Sequence, residues 1–288
     1  MKRNYLLAGI TIFLWSTIST VSKLLLEAMN SFQVLCVSAL FAFLFLFLWN
    51  LFRGNLKACK RLSLKDYGIL ALIGLPGTFL YYVFLYSGTA RMAASQAFII
   101  NYLWPIMSVS FAVLLIGERM TARKSLAIAL SFLGVAVVAG EGLLGFQTNT
   151  LMGALFCILA AISYGLFTAL NQKYSYDKSI ATMVSCFVSF LLSLVICLAT
   201  GAEFDLTLGQ VGGLAWNGIF VMGVATTLWA IALESGNTAR ISNLAYITPF
   251  LSLVWNLLVL KETPSPFAIL GLILIVLGIF VQLKNKKE

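Results

Sequence analysis

Long uncharged segments alternate with short charged ones along the whole chain. Between successive Asp, Glu, Lys and Arg residues lie ten long uncharged runs: 4–22, 28–52, 67–90, 92–117, 125–140, 142–172, 179–202, 206–233, 241–260 and 263–283. A helix needs about 20 apolar residues to cross the hydrocarbon core of a bilayer. Nine runs approach or exceed that length, and the fifth is shorter. Strands of a membrane barrel would be shorter and would alternate in polarity. The pattern therefore predicts an all-α, polytopic membrane protein with ten transmembrane helices.

Composition supports a lipid environment for these segments. Hydrophobic residues make up 61% of the 288 residues and charged residues 10%, whereas soluble domains carry about 25% charged residues. The loops are short, so no soluble domain is expected between the spans. Lys2 and Arg3 precede the first run as in a signal peptide, but no small-residue cleavage site follows it. We therefore expect a retained first helix.

The net charge of +9 is explained by topology rather than by a nucleic-acid partner. With an even number of spans both termini share one side, and 16 of the 19 Lys and Arg residues fall on that side. The opposite side holds Arg91 and Lys261, while Lys23 lies near the end of the first span. Short cytoplasmic loops are enriched in Lys and Arg. We expect a multi-pass protein of the plasma membrane, in contact with lipid, with both termini in the cytoplasm.

Residues for metal or catalytic chemistry are sparse. The chain has no histidine, and its five cysteines lack metal-ligand spacing, so we interpret them as small apolar residues. The ten acidic residues are scattered, and no phosphate-binding loop or ATP motif is present. We expect no metal, no cofactor and no enzymatic activity.

An internal repeat emerges when the chain is shifted by half its length, 144 residues. Without gaps, the shift aligns Tyr102 with Tyr246, Pro105 with Pro249, Ser108 with Ser252, Glu118 with Glu262, Gly134 with Gly278, Gly9 with Gly153 and Ser19 with Ser163. The sequence therefore predicts two five-helix units, residues 1–144 and 145–288. Because five is odd, the second unit would be inverted, as in many secondary transporters whose substrate site lies at the repeat interface. Two such units supply internally what a dimer would supply, so we expect a monomer.

Three segments resemble one known family. LWSTISTVSKLLLE in the first run, LLIGERMT after the fourth helix and LVLKETPSP after the ninth make the chain similar to the EamA branch of the drug/metabolite transporter superfamily, over essentially its whole length. The segment NYLWP, Asn101 to Pro105, resembles the aromatic amino-acid exporters of that superfamily, the YddG type. The resemblance implies ten helices, cytoplasmic termini, a central cavity and substrates among amino acids, other metabolites and drugs. It implies no shared catalytic set.

Two prolines lie at mid-membrane positions of repeat-related runs. Pro105 and Pro249 leave the carbonyls of Asn101 and Ala245, four residues earlier, without their helical donors. Such carbonyls must face protein or a wet cavity. The prolines therefore either border a substrate site or form kinks that only shape packing. The Asn101 side chain either binds an α-amino or carboxylate group of a substrate or bridges two helices.

The first run carries one polar stripe, Ser16, Ser19, Thr20 and Lys23, beside Trp15. A lysine within a span is costly unless it snorkels or finds a partner. Lys23 is thus either an anchor near the external end or a cation for a substrate carboxylate.

Aromatic residues complete the candidate substrate-binding set. Those near span ends form interfacial belts, whereas central ones either pack in the core or line a cavity with stacking faces and polar tips. Glu118 and Glu262 lie at helix ends, where we expect them to cap helices or pair with nearby bases rather than carry protons. The candidate set is Trp15, Ser16, Lys23, Tyr82, Asn101, Tyr102, Trp104, Pro105, Tyr164, Trp229, Tyr246 and Pro249.

These features predict a secondary transporter that exports small metabolites by alternating access, with amino acids favoured and aromatic ones first among them. The alternative is a multidrug or lipophilic-cation exporter. Such exporters usually use a membrane-embedded carboxylate, and every Asp and Glu here lies at or near a span boundary. A membrane-embedded enzyme would need a convergent catalytic set, and a scaffold protein is a further alternative. Proton coupling and facilitated diffusion both stay open.

Overall fold

The computed structural model describes residues 2–59, 62–144, 148–174, 176–233 and 244–283, which are helical with short connections and contain no strand. The helices of the first half are α1 (Lys2–Ser16 and Ile18–Leu26), α2 (Ser31–Phe52), α3 (Leu64–Gly74, Pro76–Leu80 and Tyr81–Thr89), α4 (Ala94–Asn101 and Trp104–Ile116) and α5 (Ala122–Leu144). Those of the second half are α6 (Thr148–Lys173), α7 (Lys178–Ala199), α8 (Leu208–Ala215, Trp216–Ala225 and Thr226–Leu233), α9 (Thr248–Val259) and α10 (Pro266–Leu283). A single helical turn, Leu56–Cys59, lies between α2 and α3.

Helices α1 to α8 are long and apolar enough to cross a membrane, and α9 and α10 are apolar but shorter. Large apolar side chains point outward from the bundle. Leu72, Leu114 and Val195 are 71%, 74% and 63% exposed. A soluble monomer rarely leaves so much apolar surface in water, so lipid is the natural solvent of this surface. The prediction of an all-α, multi-pass protein is confirmed for the described residues, while the count of ten spans stays a prediction.

The connections between helices lie at two ends of the bundle. We call the end with the α2–α3, α4–α5 and α6–α7 connections the Tyr176 end, and the end with the α1–α2, α3–α4, α7–α8 and α9–α10 connections the Lys23 end. Hydrogen bonds link elements within each end. Ser179 Oγ donates to Asn50 Oδ1 at 3.0 Å at the Tyr176 end, and Gln33 Nε2 donates to the Glu203 carbonyl at 2.6 Å at the Lys23 end.

Helices from the two halves of the chain pack directly on one another. The pairs in contact include α5 with α10, α2 with α7, α4 with α6, α1 with α9, α3 with α6 and α1 with α8. Helices α5 and α10 approach closely because they meet at small residues. A Cβ atom at Gly134 would lie 2.7 Å from the Gly271 carbonyl oxygen, and one at Gly278 would lie 2.7 Å from that of Ala127.

Helices α3 and α8 each contain a wide, π-helical segment, Pro76–Leu80 and Trp216–Ala225 respectively. Proline lacks the N–H that an α-helix needs, so Pro76 favours the irregular turn in α3. Close helix contacts accompany both segments. A Cβ atom at Gly74 would lie 1.7 Å from Ser185 Oγ of α7, and one at Gly218 would lie 2.3 Å from the Ser38 carbonyl oxygen of α2.

Candidate functional site

Regular α-helical geometry is interrupted at two places in the middle of the bundle, each just before a proline. The first piece of α4 ends at Asn101, and the second begins at Trp104, next to Pro105. The helix of Thr248–Val259 has Pro249 in its first turn and follows a 3-10 turn, Ala245–Ile247. The Tyr102 hydroxyl donates to the Ala245 carbonyl, which is the carbonyl that Pro249 leaves without its helical donor. The predicted breaks are therefore present, and the two breaks are hydrogen-bonded to each other.

A cavity of about 990 Å³, including the part open to solvent, adjoins these breaks. Helices α1, α3, α4, α6, α7, α8 and α9 contribute to its lining. From Asn101 and Ala245 the lining extends to Asn171, Tyr176 and Thr182 at the Tyr176 end. The cavity is thus a chamber between the broken helices that reaches one end of the bundle.

One wall of the cavity is aromatic. The ring centroids of Tyr81 and Tyr164 lie 4.7 Å apart, those of Trp104 and Tyr164 5.1 Å apart, and those of Tyr81 and Tyr82 4.8 Å apart. Such spacings are typical of attractive ring contacts. The part of the lining that comes from α8 consists instead of Val221, Met222 and Thr226.

Two buried polar groups in the lining lack hydrogen-bond partners within the described part of the chain. Asn101, 2% exposed, donates from Nδ2 to the Tyr81 hydroxyl at 3.1 Å, but its Oδ1 has no partner. Thr248, 3% exposed, has no partner for its hydroxyl. The described lining contains no Asp, Glu, Lys or Arg. The cavity therefore offers aromatic faces and neutral polar groups, and no fixed charge from those residues.

The mouth of the cavity is built around Asn171 at the end of α6. The Tyr176 hydroxyl donates to Asn171 Oδ1, and Lys178 Nζ donates to the Asn171 carbonyl at 2.7 Å. The Lys178 ammonium also lies 4.0 Å from the centroid of the Tyr176 ring. Burial raises the pKa of Tyr176 to about 12, so its hydroxyl stays protonated at neutral pH and can donate this bond.

At the Lys23 end, two charged residues cap the ends of α3 and α4. Lys23 Nζ donates to the carbonyls of Thr89 at 2.9 Å and Met92 at 2.8 Å. Glu262 accepts hydrogen bonds from the backbone N–H groups of Ala94 at 2.9 Å and Ser95 at 2.7 Å, and from the Ser95 hydroxyl. A cation at a helix C-terminus and an anion at a helix N-terminus both interact favourably with the partial charge of that helix end. Neither Lys23 nor Glu262 lines the cavity.

The cavity brings together half of the residues singled out from the sequence. Those that line it are Trp15, Tyr82, Asn101, Tyr102, Trp104 and Tyr164. Pro105 and Pro249 flank it without lining it, and Trp229 packs its ring on Trp15 at 5.3 Å. The side chain of Tyr246 lies outside the described residues. Lys23, considered as a ligand for a substrate carboxylate, is instead engaged with backbone carbonyls.

The polar stripe of α1 faces α9 rather than the cavity. Ser16 Oγ donates to the Phe13 carbonyl at 2.7 Å and accepts from Trp255 Nε1 at 2.9 Å. Farther along, Ser19 Oγ lies 2.6 Å from Ser252 Oγ, and Thr20 donates to Asn256 Oδ1 at 2.6 Å. The hypothesis that Ser16 contacts substrate therefore does not match its position, which is in the α1–α9 seam.

Several lining residues were not anticipated. Gly74, Thr78 and Tyr81 line the cavity from α3, across its π-helical segment, where the spacing of side chains departs from the α-helical period. Thr248 adjoins Pro249, and a threonine in an apolar run gives no distinctive signal. Asn171 and Tyr176 lie at a helix end and in a loop, where the sequence offered no signal.

A helical bundle with a lipid-facing surface and a chamber whose described lining carries no charge has the architecture of a multi-pass membrane transporter. The sequence agrees with this class. It matches the EamA-like transporter family over residues 2–140 and again over residues 151–283. The chain belongs to the EamA-like transporter family, and it is accordingly a transporter rather than an enzyme.

Individual relatives are distant. An uncharacterized transporter of Clostridium kluyveri is 24% identical, over 100% of this chain and 95% of its own length. The aromatic amino acid exporter YddG of Ancylobacter novellus is 24% identical over 69% of each chain. A solved crystal structure matches with a TM-score of 0.70 at 20% identity, covering 98% of this chain and 96% of its own, and this likeness concerns the fold alone.

Proposed function

We propose that this protein is a secondary transporter that exports small zwitterionic metabolites across the plasma membrane by alternating access. Amino acids are the favoured substrates, and aromatic ones come first. The observation that carries the proposal is the cavity at the helix breaks, with aromatic rings and no charged side chain in its described lining. Pockets for small ligands are lined mostly by apolar and aromatic side chains with a few polar groups, and this lining has that composition. The relative named as an aromatic amino acid exporter supports this substrate class.

The proposal includes the architecture that alternating access requires. Residues 1–144 and 145–288 form two inverted five-helix repeats that rock around the cavity within a monomer. Cavity positions that recur at a spacing of 144 residues support this arrangement: Gly77 and Val221, Thr78 and Met222, Tyr82 and Thr226, Asn101 and Ala245, Trp104 and Thr248. Helix packing supports it as well. In the proposed repeat α3 corresponds to α8 and α6 corresponds to α1, and α3 packs on α6 just as α8 packs on α1.

The Tyr176 end is proposed to face the cytoplasm, together with both termini. The support is the excess of Lys and Arg in the connections at this end, which follows the general rule for cytoplasmic loops. An exporter in this conformation would load its substrate through the mouth at Asn171 and Tyr176.

Export of lipophilic cations is the less favoured function. A cation in a low-dielectric chamber needs a carboxylate partner, and the described lining contains none. The same feature favours facilitated diffusion over proton coupling, because no acid among those lining residues can exchange a proton with a substrate.

Purified protein in proteoliposomes tests the proposal. Vesicles loaded with unlabelled phenylalanine are expected to accumulate labelled phenylalanine by counterflow, whereas protein-free vesicles do not. A lipophilic cation such as tetraphenylphosphonium should not exchange. Exchange of the cation without exchange of any amino acid would reverse the assignment. Repeating the flux with an imposed pH gradient decides between proton coupling and facilitated diffusion.

A further inference from the structure

We propose that Asn101 accepts a hydrogen bond from the α-ammonium group of the substrate and that Thr248 donates one to its carboxylate. The inference rests on the proposed function and deepens it, because it assigns each polar end of an amino acid to one side chain. Both residues lie at the helix breaks in the middle of the bundle, and both line the cavity.

The unpartnered atoms at these residues point to a ligand. Asn101 Oδ1 and Thr248 Oγ1 are buried, and neither has a hydrogen-bond partner among the described residues. Buried polar atoms without partners are unfavourable and are rare in native proteins. A ligand that supplies a donor to Asn101 and an acceptor to Thr248 would satisfy both.

The partial charges of the helix ends indicate which polar group of the substrate each residue binds. Asn101 ends the first piece of α4, Ala94–Asn101, so it lies at the partially negative C-terminal end of a helix. Thr248 begins the helix Thr248–Val259, so it lies at a partially positive N-terminal end. Broken helices in transporters use such ends to hold charged groups of the substrate. The ammonium group therefore belongs at Asn101 and the carboxylate at Thr248.

The uncharged lining selects for a zwitterion. A solute with a net charge would lose its hydration without gaining a counter-ion from the described lining residues. A zwitterion has no net charge, and neutral hydrogen bonds and helix ends can compensate its two poles. The rings of Tyr81, Trp104 and Tyr164 then remain for an apolar or aromatic side chain.

The side-chain amide of Asn101 can adopt two orientations that exchange Oδ1 and Nδ2, and each orientation would bind a different group of the ligand. The Tyr81 hydroxyl can donate as well as accept, so the bond between these side chains fits either amide orientation. With Nδ2 bonded to the Tyr81 hydroxyl, Oδ1 is the atom left to accept a hydrogen bond, and Asn101 would bind an ammonium group. With Nδ2 toward the ligand it would bind a carboxylate.

Three probes and three variants test the assignment. L-phenylalanine carries both polar groups, phenethylamine lacks the carboxylate, and 3-phenylpropionate lacks the ammonium group. Binding of each to the purified full-length protein in nanodiscs is measured by calorimetry for wild type, Thr248→Val, Asn101→Leu and Asn217→Leu. Asn217 is the matched control, because it is a fully buried asparagine without partners in the described chain that does not line the cavity.

Thr248→Val should weaken phenylalanine and 3-phenylpropionate by about tenfold or more, the effect of losing one hydrogen bond to a charged group, and leave phenethylamine unchanged. Asn101→Leu should weaken phenylalanine and phenethylamine and leave 3-phenylpropionate unchanged. Asn217→Leu should alter none of the three affinities.

Two results would overturn the proposal in different ways. If wild type binds phenylalanine but each variant weakens all three probes equally, or with the preferences exchanged, the assignment of Asn101 and Thr248 fails while amino-acid transport stands. If wild type binds no amino acid, the proposed function fails and this inference fails with it.

Discussion

Glu262 and Glu118 occupy equivalent positions in the two halves of the sequence, yet they bond differently. Glu262 is half-buried and caps α4 across the halves through Ala94 and Ser95. Glu118 is exposed and pairs at 2.8 Å with Lys124, which lies in the first turn of the next helix, α5. Equivalent sequence therefore does not give equivalent contacts, and the surroundings at each end decide the partner.

The difference between the two glutamates parallels the difference between the two ends. At the Lys23 end the described loops are tied to helix ends by Lys23 and Glu262, and the cavity does not extend to these residues. At the Tyr176 end the cavity lining includes Asn171 and Tyr176. Under the proposed alternating access of two inverted repeats, the two halves exchange conformations. The Glu262 contact is thus expected to belong to the closed state of its end.

The largest effect is expected from Glu262→Ala. The change removes a charged acceptor of three hydrogen bonds, and hydrogen bonds to charged groups contribute about 1.5–3 kcal/mol each. Opening of the Lys23 end should become easier, so the population of closed protein should fall. Cys186, which lines the cavity, serves as the reporter after the other four cysteines are replaced by alanine. A membrane-impermeant thiol reagent applied at the Lys23 end should label it at least tenfold faster than in the parent.

The matched control is Glu118→Ala, the equivalent change at the other end. Its exposed ion pair contributes about 0–1 kcal/mol, so labelling of Cys186 from the Lys23 end should stay near the parental rate. Equal acceleration by both variants would show that the glutamates are not distinguished by the state of their ends.

The same comparison marks what sequence could and could not predict. The breaks at Pro105 and Pro249 were predictable, because a missing N–H is a local property of one residue. The partners of Lys23 and Glu262 were not, because they are backbone groups of α3 and α4 that only tertiary packing brings within reach. Capping or pairing was correctly expected for both glutamates, but nothing in the sequence separated the two cases.

The residues of the cavity likewise divide into those that could be predicted from the sequence and those that could not. Asn101, Tyr82 and Tyr164 were recognised as candidates because polar or aromatic residues stand out within apolar runs. Ser16 is just as conspicuous in the sequence, yet it packs against α9. Helix periodicity defines a polar face but does not identify what that face contacts. The π-helical segment of α3 alters the spacing of side chains along that helix, and no period counted from the sequence anticipates it.

Lys23→Met is expected to have the next largest effect. It removes the ammonium group that binds the carbonyls of Thr89 and Met92, at the C-terminal end of α3. Loss of these bonds should lower the melting temperature of the purified protein by several degrees, because each contributes roughly 1–3 kcal/mol. Lys23→Arg, which can still donate to both carbonyls, should retain most of the wild-type melting temperature.

The alternative role for Lys23, binding a substrate carboxylate, gives a different result. Lys23→Met would then weaken phenylalanine binding far more than phenethylamine binding, with little change in melting temperature. If Lys23 only caps α3, Lys23→Met should change the affinities for phenylalanine and phenethylamine equally.

Tyr176→Phe tests the open end and should have a smaller effect. The change removes the hydroxyl that donates to Asn171 and keeps the ring beneath Lys178. The mouth should become looser, so the rate of substrate entry should change by about two- to threefold with little change in melting temperature, since one neutral hydrogen bond contributes about 1 kcal/mol. Stopped-flow quenching of tryptophan fluorescence by the substrate measures the entry rate. A tenfold loss of affinity would instead make Tyr176 a substrate ligand.

The smallest effect is expected from Lys124→Ala, which leaves Glu118 unpaired at the Tyr176 end. Because Glu118 is exposed to solvent and Lys124 lies only six residues farther along the chain, at the start of α5, the melting temperature should fall by no more than about 1–2 °C. The small loss should shrink further at 1 M salt, where the Debye length is about 3 Å. A larger loss that persists at high salt would mean that Glu118, like Glu262, already holds a helix end, and the distinction between the two ends would have to be abandoned.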